Sequence, residues 1–279
     1  MNPSARSYLF VPGDRPERFD KALASGAHAV ILDLEDAVTP QRKVQAREAI
    51  AGWLKQAGAR VFVRVNPEGT PWHADDCELL LDSDRLAGVM VPKAEDHISI
   101  ARLARHLGDG QELIPLVETV AGHFEAAAMA RVPRVGRLAF GSFDFMADSG
   151  IQADGEELDA VRTNLVLVSR HAGLRAPIDG VSAAIEDAAQ LERDVRRSRR
   201  FGMGAKLCIH PKQVPIVHVG FAPRPEEVDW ARRVLDALAS GPLGAIAVDG
   251  KLVDRPIALR AEAILAEAGV ERGAGSGPA

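Results

Sequence analysis

Six short apolar stretches of this chain run straight into side chains that can do chemistry. The stretch at 29–32 leads to Asp33, Glu35 and Asp36, and that at 61–65 carries Arg64 and stops at Asn66. Residues 88–91 end at Pro92 and Lys93, 113–117 deliver Glu118, 138–140 precede Asp144, and 205–209 deliver His210. Glu118 and Asp144 have no cysteine or histidine partner, so together they suit a hard cation, Mg²⁺ or Mn²⁺, rather than zinc. Mg²⁺ keeps several waters and accepts only one or two protein carboxylates, which leaves room for a chelating substrate. The plainer reading of each is an N-cap at the start of a following helix. Arg64 can grip a carboxylate with both arms of its fork or stabilise an oxyanion. Its plainer reading is a salt bridge to Glu35 or Asp36. His210 stands before Pro211, so its backbone is extended, and it reads as a structural hydrogen-bonding group. Arg196 to Arg200 (RRSRR) lies late on a helical stretch, where it reads as a solvated face that offsets the helix dipole.

These residues need a scaffold that gathers them. Apolar, β-branched runs at 8–11, 29–34, 61–65, 88–91, 113–117, 137–140, 177–180 and 205–209 alternate with helical stretches. The helical stretches lie at 18–25, 43–55, 97–107, 122–130, 156–171 and 186–201. This alternation predicts a parallel sheet covered by helices. Eight strands in βα order point to a closed (β/α)₈ barrel, in which residues just past the strand ends face one common mouth. An open doubly wound sheet fits less well, because no Gly-x-Gly-x-x-Gly follows a strand.

The barrel is expected over 1–221. Beyond it the pattern changes: a linker, APRP, at 222–225, a helix over 226–239, a hairpin over 245–254 turning at Asp249-Gly250, and a helix over 256–268. Asp-Gly between short β-prone runs is the hairpin signal. We expect this appendage, 222–272, to pack on a neighbouring subunit and the tail, 273–279, to be disordered. The 279 residues carry a net charge of −5 and are 47% hydrophobic, enough for a large core and without a nucleic-acid footprint. Cys77 and Cys208 are too far apart in sequence to suggest a ligand-spaced pair. With no membrane-length apolar run and no signal-peptide core, the expected location is the cytoplasm.

The same residues carry a family likeness. RSYLFVPG at 6–13, DLEDAV at 33–38, RVNP at 64–67 and VPK at 91–93 are followed by ET at 118–119, GSFD at 141–144, IHP at 209–211 and GKLVDRP at 250–256. In this order the chain resembles the β subunit of citrate lyase and its stand-alone relatives, the citramalyl-CoA and malyl-CoA lyases of the HpcH/HpaI aldolase superfamily. The resemblance runs from Arg6 to Leu265. It implies that Glu118 and Asp144 bind Mg²⁺, that Arg64 contacts the substrate's carboxylate or carbonyl oxygen, and that Arg6 and Lys21 help hold CoA. It also implies that Asp254 is supplied to a neighbouring subunit's active site, which makes a homotrimer or a multiple of one the expected assembly. One departure stands out: where dedicated citrate lyase β chains commonly carry an acidic residue just before the metal aspartate, this chain has Phe143. That favours a stand-alone CoA-thioester lyase.

The expected reaction is cleavage of a 3-hydroxyacyl thioester (citryl-, citramalyl- or malyl-CoA) to an acyl-CoA and a 2-keto acid. Mg²⁺ and Arg64 would meet the charge that develops on oxygen, and Asp254 would protonate the enolate. Asp33, Glu35 and Asp36 support the site and are candidates, beside a metal-bound water, for the base that takes the hydroxyl proton. Alternatives are a Mg²⁺-dependent aldolase acting on free pyruvate, a malate-synthase-like condensing enzyme that also hydrolyses the thioester, and a catalytically silent barrel.

Overall fold

The structure, a computed structural model, describes residues 5–56, 58–80, 83–183, 185–240 and 246–269. It divides into two compact units at Phe221/Ala222. The first is a closed barrel of eight parallel strands in chain order: β1 (Ser7–Pro12), β2 (Ala29–Asp33), β3 (Val61–Arg64), β4 (Leu86–Val91), β5 (Glu112–Val117), β6 (Ala139–Phe140), β7 (Ile178–Asp179) and β8 (Ala205–Cys208), with β8 pairing back onto β1. Helices α1 (Phe19–Leu23), α2 (Lys43–Leu54), α3 (His73–Leu80), α4 (His97–Ala104), α5 (Val120–Met129), α6 (Ser142–Ser149), α7 (Asp159–His171), α8 (Ala188–Phe201) and α9 (Gln213–Phe221) follow the strands. The (β/α)₈ expectation holds, and the open-sheet alternative does not.

Strand side chains alternate between two apolar layers, which is why the strands read as continuous hydrophobic runs. Ile31, Phe62, Met90, Ile114 and Leu116 fill the lumen together with Tyr8, Ala139 and Leu207. Val30, Leu32, Val63, Leu113 and Val117 pack outward beneath the helices. The N-terminal end of the barrel is closed by Arg137, which is buried and donates to the Ala5 carbonyl at 2.8 Å while lying over the Tyr8 ring. The lumen is therefore a packed core, and only its C-terminal end is left for chemistry.

Three helices escape the sequence reading. α3 and α9 fall where no periodic stretch stands out; α9 carries Pro215 in its first turn, yet buries Val214, Val217 and Phe221. α6 is written GSFDFMADSG, a string of turn residues, and forms because Phe145 and Met146 pack into the outer core. This relocates Asp144: it sits in the first turn of α6, not at a strand end.

The second unit holds α10 (Pro225–Ser240), an antiparallel pair β9 (Ile246–Val248) and β10 (Lys251–Val253), and α11 (Arg255–Glu267). The turn between β9 and β10 places both Asp249 and Gly250 at positive φ, 52° and 73°, as a two-residue hairpin of this hand requires. Ala231, Val234, Val253, Ala261 and Leu265 form this unit's own core. Ala245 and the tail at 273–279 lie outside the described residues. Among the described residues no helix is long and apolar enough to cross a membrane.

Candidate active site

Strand register places the first two groups. β2 and β3 pair with Asp33 opposite Arg64, so the two side chains emerge at one level of the lumen. The Asp33 carboxylate accepts from Arg64 Nε at 2.8 Å and from Nη2 at 2.6 Å, a fork-on-fork pair. It also accepts the backbone N–H groups of Glu35 and Ala37. Arg64 Nη1 lies 2.8 Å from Glu35 Oε2, and the guanidinium rests over the Phe10 ring. The ion-pair reading of Arg64 is thus correct in kind, with Asp33 and Glu35 as partners; Asp36 is exposed and lines the cleft instead. Burial works to lower the Arg64 pKa, but Asp33 and Glu35 outweigh it, and the group stays charged. Two of the five guanidinium N–H groups donate to Asp33 and Nη1 is ion-paired with Glu35, which leaves N–H groups for a substrate.

Lys93 ties this corner to the next. It is one of three non-glycine residues at positive φ (45°) among the described residues, a conformation that costs about 1 kcal/mol or more. There its backbone N–H donates to Glu118 Oε1 at 2.7 Å and its ammonium donates to Glu35 Oε1 at 2.7 Å. Buried Lys43 holds the segment after β2 by donating to the carbonyls of Leu34 and Glu35. Lys93 was noted in the sequence at its strand end, directly after Val91-Pro92, but given no role; the structure makes it a positioning residue of the site.

Glu118 is 1% exposed. Its neighbour Thr119, not Glu118, caps α5 by accepting from Gly122 N–H. Burial, then the negative charges of Glu35 and Asp144, push the Glu118 pKa up to about 8. Gly141 leaves the space beside it open: a Cβ there would stand 2.6 Å from Glu118 Oε2. Asp144 is exposed, makes no hydrogen bond or ion pair with another described residue, and is not the α6 N-cap, which is Gly141. The capping explanation therefore fails for both carboxylates.

A cleft of about 320 Å³ brings these groups together: Arg64, Asp33, Asp36, Glu118 and Asp144 line it, with Phe10, Leu116, Phe143, Val181, Leu207 and Ile209 as apolar wall. The donor set fits a hard divalent cation. Two carboxylates meet there, one with an oxygen facing a glycine gap and one without a protein partner, and their mutual repulsion is what a cation would relieve. Among the described residues no group of three or more His, Cys, Asp or Glu side chains is arranged to hold a metal. The candidate ligand set is the pair.

The other expected site residues fall elsewhere. Arg6 precedes β1 at the N-terminal end of the barrel, where its N–H donates to His28 Nδ1 and its carbonyl accepts from Lys206. That is the end of the strands opposite the mouth, so the structure does not bring Arg6 to the cleft; a register of one whole strand separates them. Lys21 is exposed on α1. Asp254 caps α11 in the second unit, accepting from Ile257 N–H at 3.1 Å. His210 Nδ1 accepts from Lys212 N–H within its own loop, a structural role. The RRSRR stretch is only partly a solvated face, because Arg197 is engaged with Asp154 and Asp159 and Ser198 is buried against Asp179.

Comparison with known proteins agrees with this geometry. The citrate lyase subunit beta-like protein of Mycobacterium tuberculosis is 38% identical over 276 residues, covering 96% of this chain and 97% of that one. The L-malyl-CoA/beta-methylmalyl-CoA lyase of Cereibacter sphaeroides is 34% identical, with 94% of each chain covered. The crystal structure of Mycobacterium tuberculosis CitE in complex with magnesium, acetoacetate and coenzyme A superposes with a TM-score of 0.85 at 34% identity, covering 96% of this chain and all of that one. Residues 6–211 match the HpcH/HpaI aldolase/citrate lyase family, a span that contains every strand of the barrel and every residue that lines the cleft. With the barrel, the carboxylate pair and the anchored arginine all inside the matched region, the chain belongs to the HpcH/HpaI aldolase/citrate lyase family.

Proposed function

We propose that this protein is a Mg²⁺-dependent carbon–carbon lyase that cleaves a 3-hydroxyacyl-CoA of the malyl, citramalyl or citryl type to an acyl-CoA and a 2-keto acid. The observation that carries the reading is the surplus of carboxylate at the mouth: Glu118 raised to about 8 and Asp144 unpaired, beside an arginine with donors to spare. Glu118 and Asp144 would hold the ion, which when bound polarises the substrate oxygen on which charge develops.

The chain's own residues supply the rest. Arg64, fixed by Asp33 and Glu35, offers its remaining N–H groups to that oxygen or to the neighbouring carboxylate without reorganising. Phe10, Leu116, Leu207 and Ile209 exclude water on the apolar side. Asp33 has both oxygens engaged and buried Glu35 is paired with Lys93 and Arg64, so exposed Asp36, which lines the cleft, is the best placed of the acidic group to accept the hydroxyl proton. Asp254 uses one carboxylate oxygen to cap α11; we assign it as the proton donor to the enolate in a neighbouring subunit's site within a homotrimer. Lys21 is retained as a CoA contact, and Arg6 is assigned no contact with the reacting atoms.

The test is to incubate malyl-, citramalyl- and citryl-CoA with the protein, with and without Mg²⁺, and to assay acyl-CoA, keto acid and free CoA separately. Mg²⁺-dependent release of a keto acid with an intact acyl-CoA supports the lyase. Free CoA as the primary product indicates thioester hydrolysis, and turnover of free pyruvate with an aldehyde alone indicates the aldolase.

A further inference from the structure

The three candidate thioesters differ in what their keto acid carries: hydrogen from malyl-CoA, methyl from citramalyl-CoA, and a second carboxylate from citryl-CoA. The cleft discriminates among these by charge. Arg64 is the one cationic side chain among the described residues that line it, against four carboxylates, Asp33, Asp36, Glu118 and Asp144. Neither nearby lysine relieves this: Lys93 is spent on Glu35 and Lys43 on two backbone carbonyls. The wall beside Asp144 is Phe143, 41% exposed and presented from the first turn of α6.

Cations do lie near, on the far side of that wall. Phe143 and Val181 also line a second cavity of about 200 Å³, whose other lining includes Arg162, Arg197 and Lys206. Each of these is committed to acids: Arg162 to Asp179 and Asp154, Arg197 to Asp154 and Asp159, and Lys206 to Asp179 at 3.6 Å. Phe143 thus forms part of the partition between the acidic mouth and this cation-bearing cavity.

We propose that Phe143 is a specificity-determining residue that makes the cleft accept a keto-acid portion bearing hydrogen or methyl and reject one bearing a second carboxylate. The proposal rests on the lyase reading above. A methyl group fills space against an aromatic wall, whereas a second carboxylate there is desolvated beside Asp36 and Asp144 while the ion and Arg64 are taken up by the carboxylate and oxygen common to all three substrates. A methylene more or less would discriminate only weakly; an unpaired buried charge discriminates strongly.

Two measurements test it. The first is kcat/KM for the three thioesters with Mg²⁺ present, where citryl-CoA should be slower than the better of the other two by about 100-fold or more. The second is Phe143→Lys, checked for fold by circular dichroism, which should improve citryl-CoA relative to citramalyl-CoA by about tenfold or more, while Phe143→Leu keeps the wild-type order. Equal cleavage of citryl- and citramalyl-CoA by the wild type overturns the charge rule and leaves the lyase standing. A folded Phe143→Lys protein with the wild-type order overturns the role of Phe143; if that variant does not fold, the wild-type comparison and Phe143→Leu decide. Cleavage of none of the three would overturn the lyase. In that event thermal-shift titration of the Mg²⁺-loaded protein with glyoxylate, pyruvate and oxaloacetate still decides the charge rule, and oxaloacetate binding as tightly as the others would overturn it.

Discussion

Two clusters of ionised groups sit in the same barrel, and they are built on opposite principles. Between β7, β8 and the helices α7 and α8, Asp179 is fully enclosed by Arg162 at 2.9 Å, Lys206 at 3.6 Å and the Ser198 hydroxyl. Burial there works to raise the Asp179 pKa, but Lys206 and Arg162 outweigh it and hold the carboxyl below its ordinary range. At the mouth, Glu118 is also buried, yet its pKa goes the other way, because burial raises it and the negative charges of Glu35 and Asp144 add to that rise. The first cluster balances its charge and so holds the wall together. The second leaves negative charge uncompensated, which folding alone gives no reason to keep. It is the imbalance, more than the number of charges, that marks a functional site.

The largest effect that would sharpen this contrast is on activity. Glu118→Ala or Asp144→Ala should abolish Mg²⁺-dependent turnover, about 1,000-fold or more in kcat, with the circular dichroism spectrum unchanged, since neither side chain belongs to the apolar core. Substantial turnover in either variant would remove the pair as the metal site. Next comes Arg64→Lys, which keeps charge but loses the fork that Asp33 grips; kcat should fall by about 100-fold or more, equivalent to roughly 3 kcal/mol. Wild-type kinetics in that variant would make Arg64 a structural partner of the acids and nothing more.

Asp254→Asn should lower kcat strongly while leaving Mg²⁺ affinity unchanged. Mixing it with Glu118→Ala protein should restore partial activity, because some mixed assemblies then contain one complete site. No recovery after verified subunit exchange contradicts sharing between subunits. The balanced cluster should respond in stability instead. Asp179→Asn leaves buried cations short of a partner and should cost about 3–5 kcal/mol, read as a lowered denaturation midpoint, with kcat of the folded protein little changed. A stable variant with impaired kcat would erase the distinction between the two regions.

The barrel was legible from the sequence because both faces of each strand are buried, so Ile31, Phe62 and Ile114 in the lumen and Val30, Val63 and Leu113 outside write unbroken apolar runs. The appendage's hairpin was legible from Asp249-Gly250. α6 was not, since its local sequence favours turns and only the packing of Phe145 and Met146 makes it a helix. Of the site, the acidic and basic groups at the strand ends were visible, and so was an Arg64–Glu35 pair, but the Asp33 fork was not. That Asp33, two residues before Glu35, takes the Arg64 fork depends on the register of β2 against β3, which no local pattern encodes. Lys93 was visible at its strand end but its role was not, because half of that role is carried by its backbone N–H, and a backbone group has no signature in residue type. Arg6 was assigned to CoA by resemblance alone, and the strand direction puts it at the closed end.

The most direct test of the surplus-charge account is calorimetric titration of Mg²⁺ into the metal-free protein at several pH values. In that protein the folded state keeps a proton on Glu118 that the unfolded chain releases. The stabilisation from this group is therefore fullest at low pH and is lost as pH rises from about 4.5 through about 8. A bound cation must expel the same proton, so affinity should rise about tenfold per pH unit up to about 8 and then level off, with one proton released per ion. Glu118→Gln should abolish both the binding and its pH dependence while making the metal-free protein more stable at pH 8. Affinity that is flat across this range, or that survives in Glu118→Gln, would contradict the claim that uncompensated carboxylates at the mouth form the cation site.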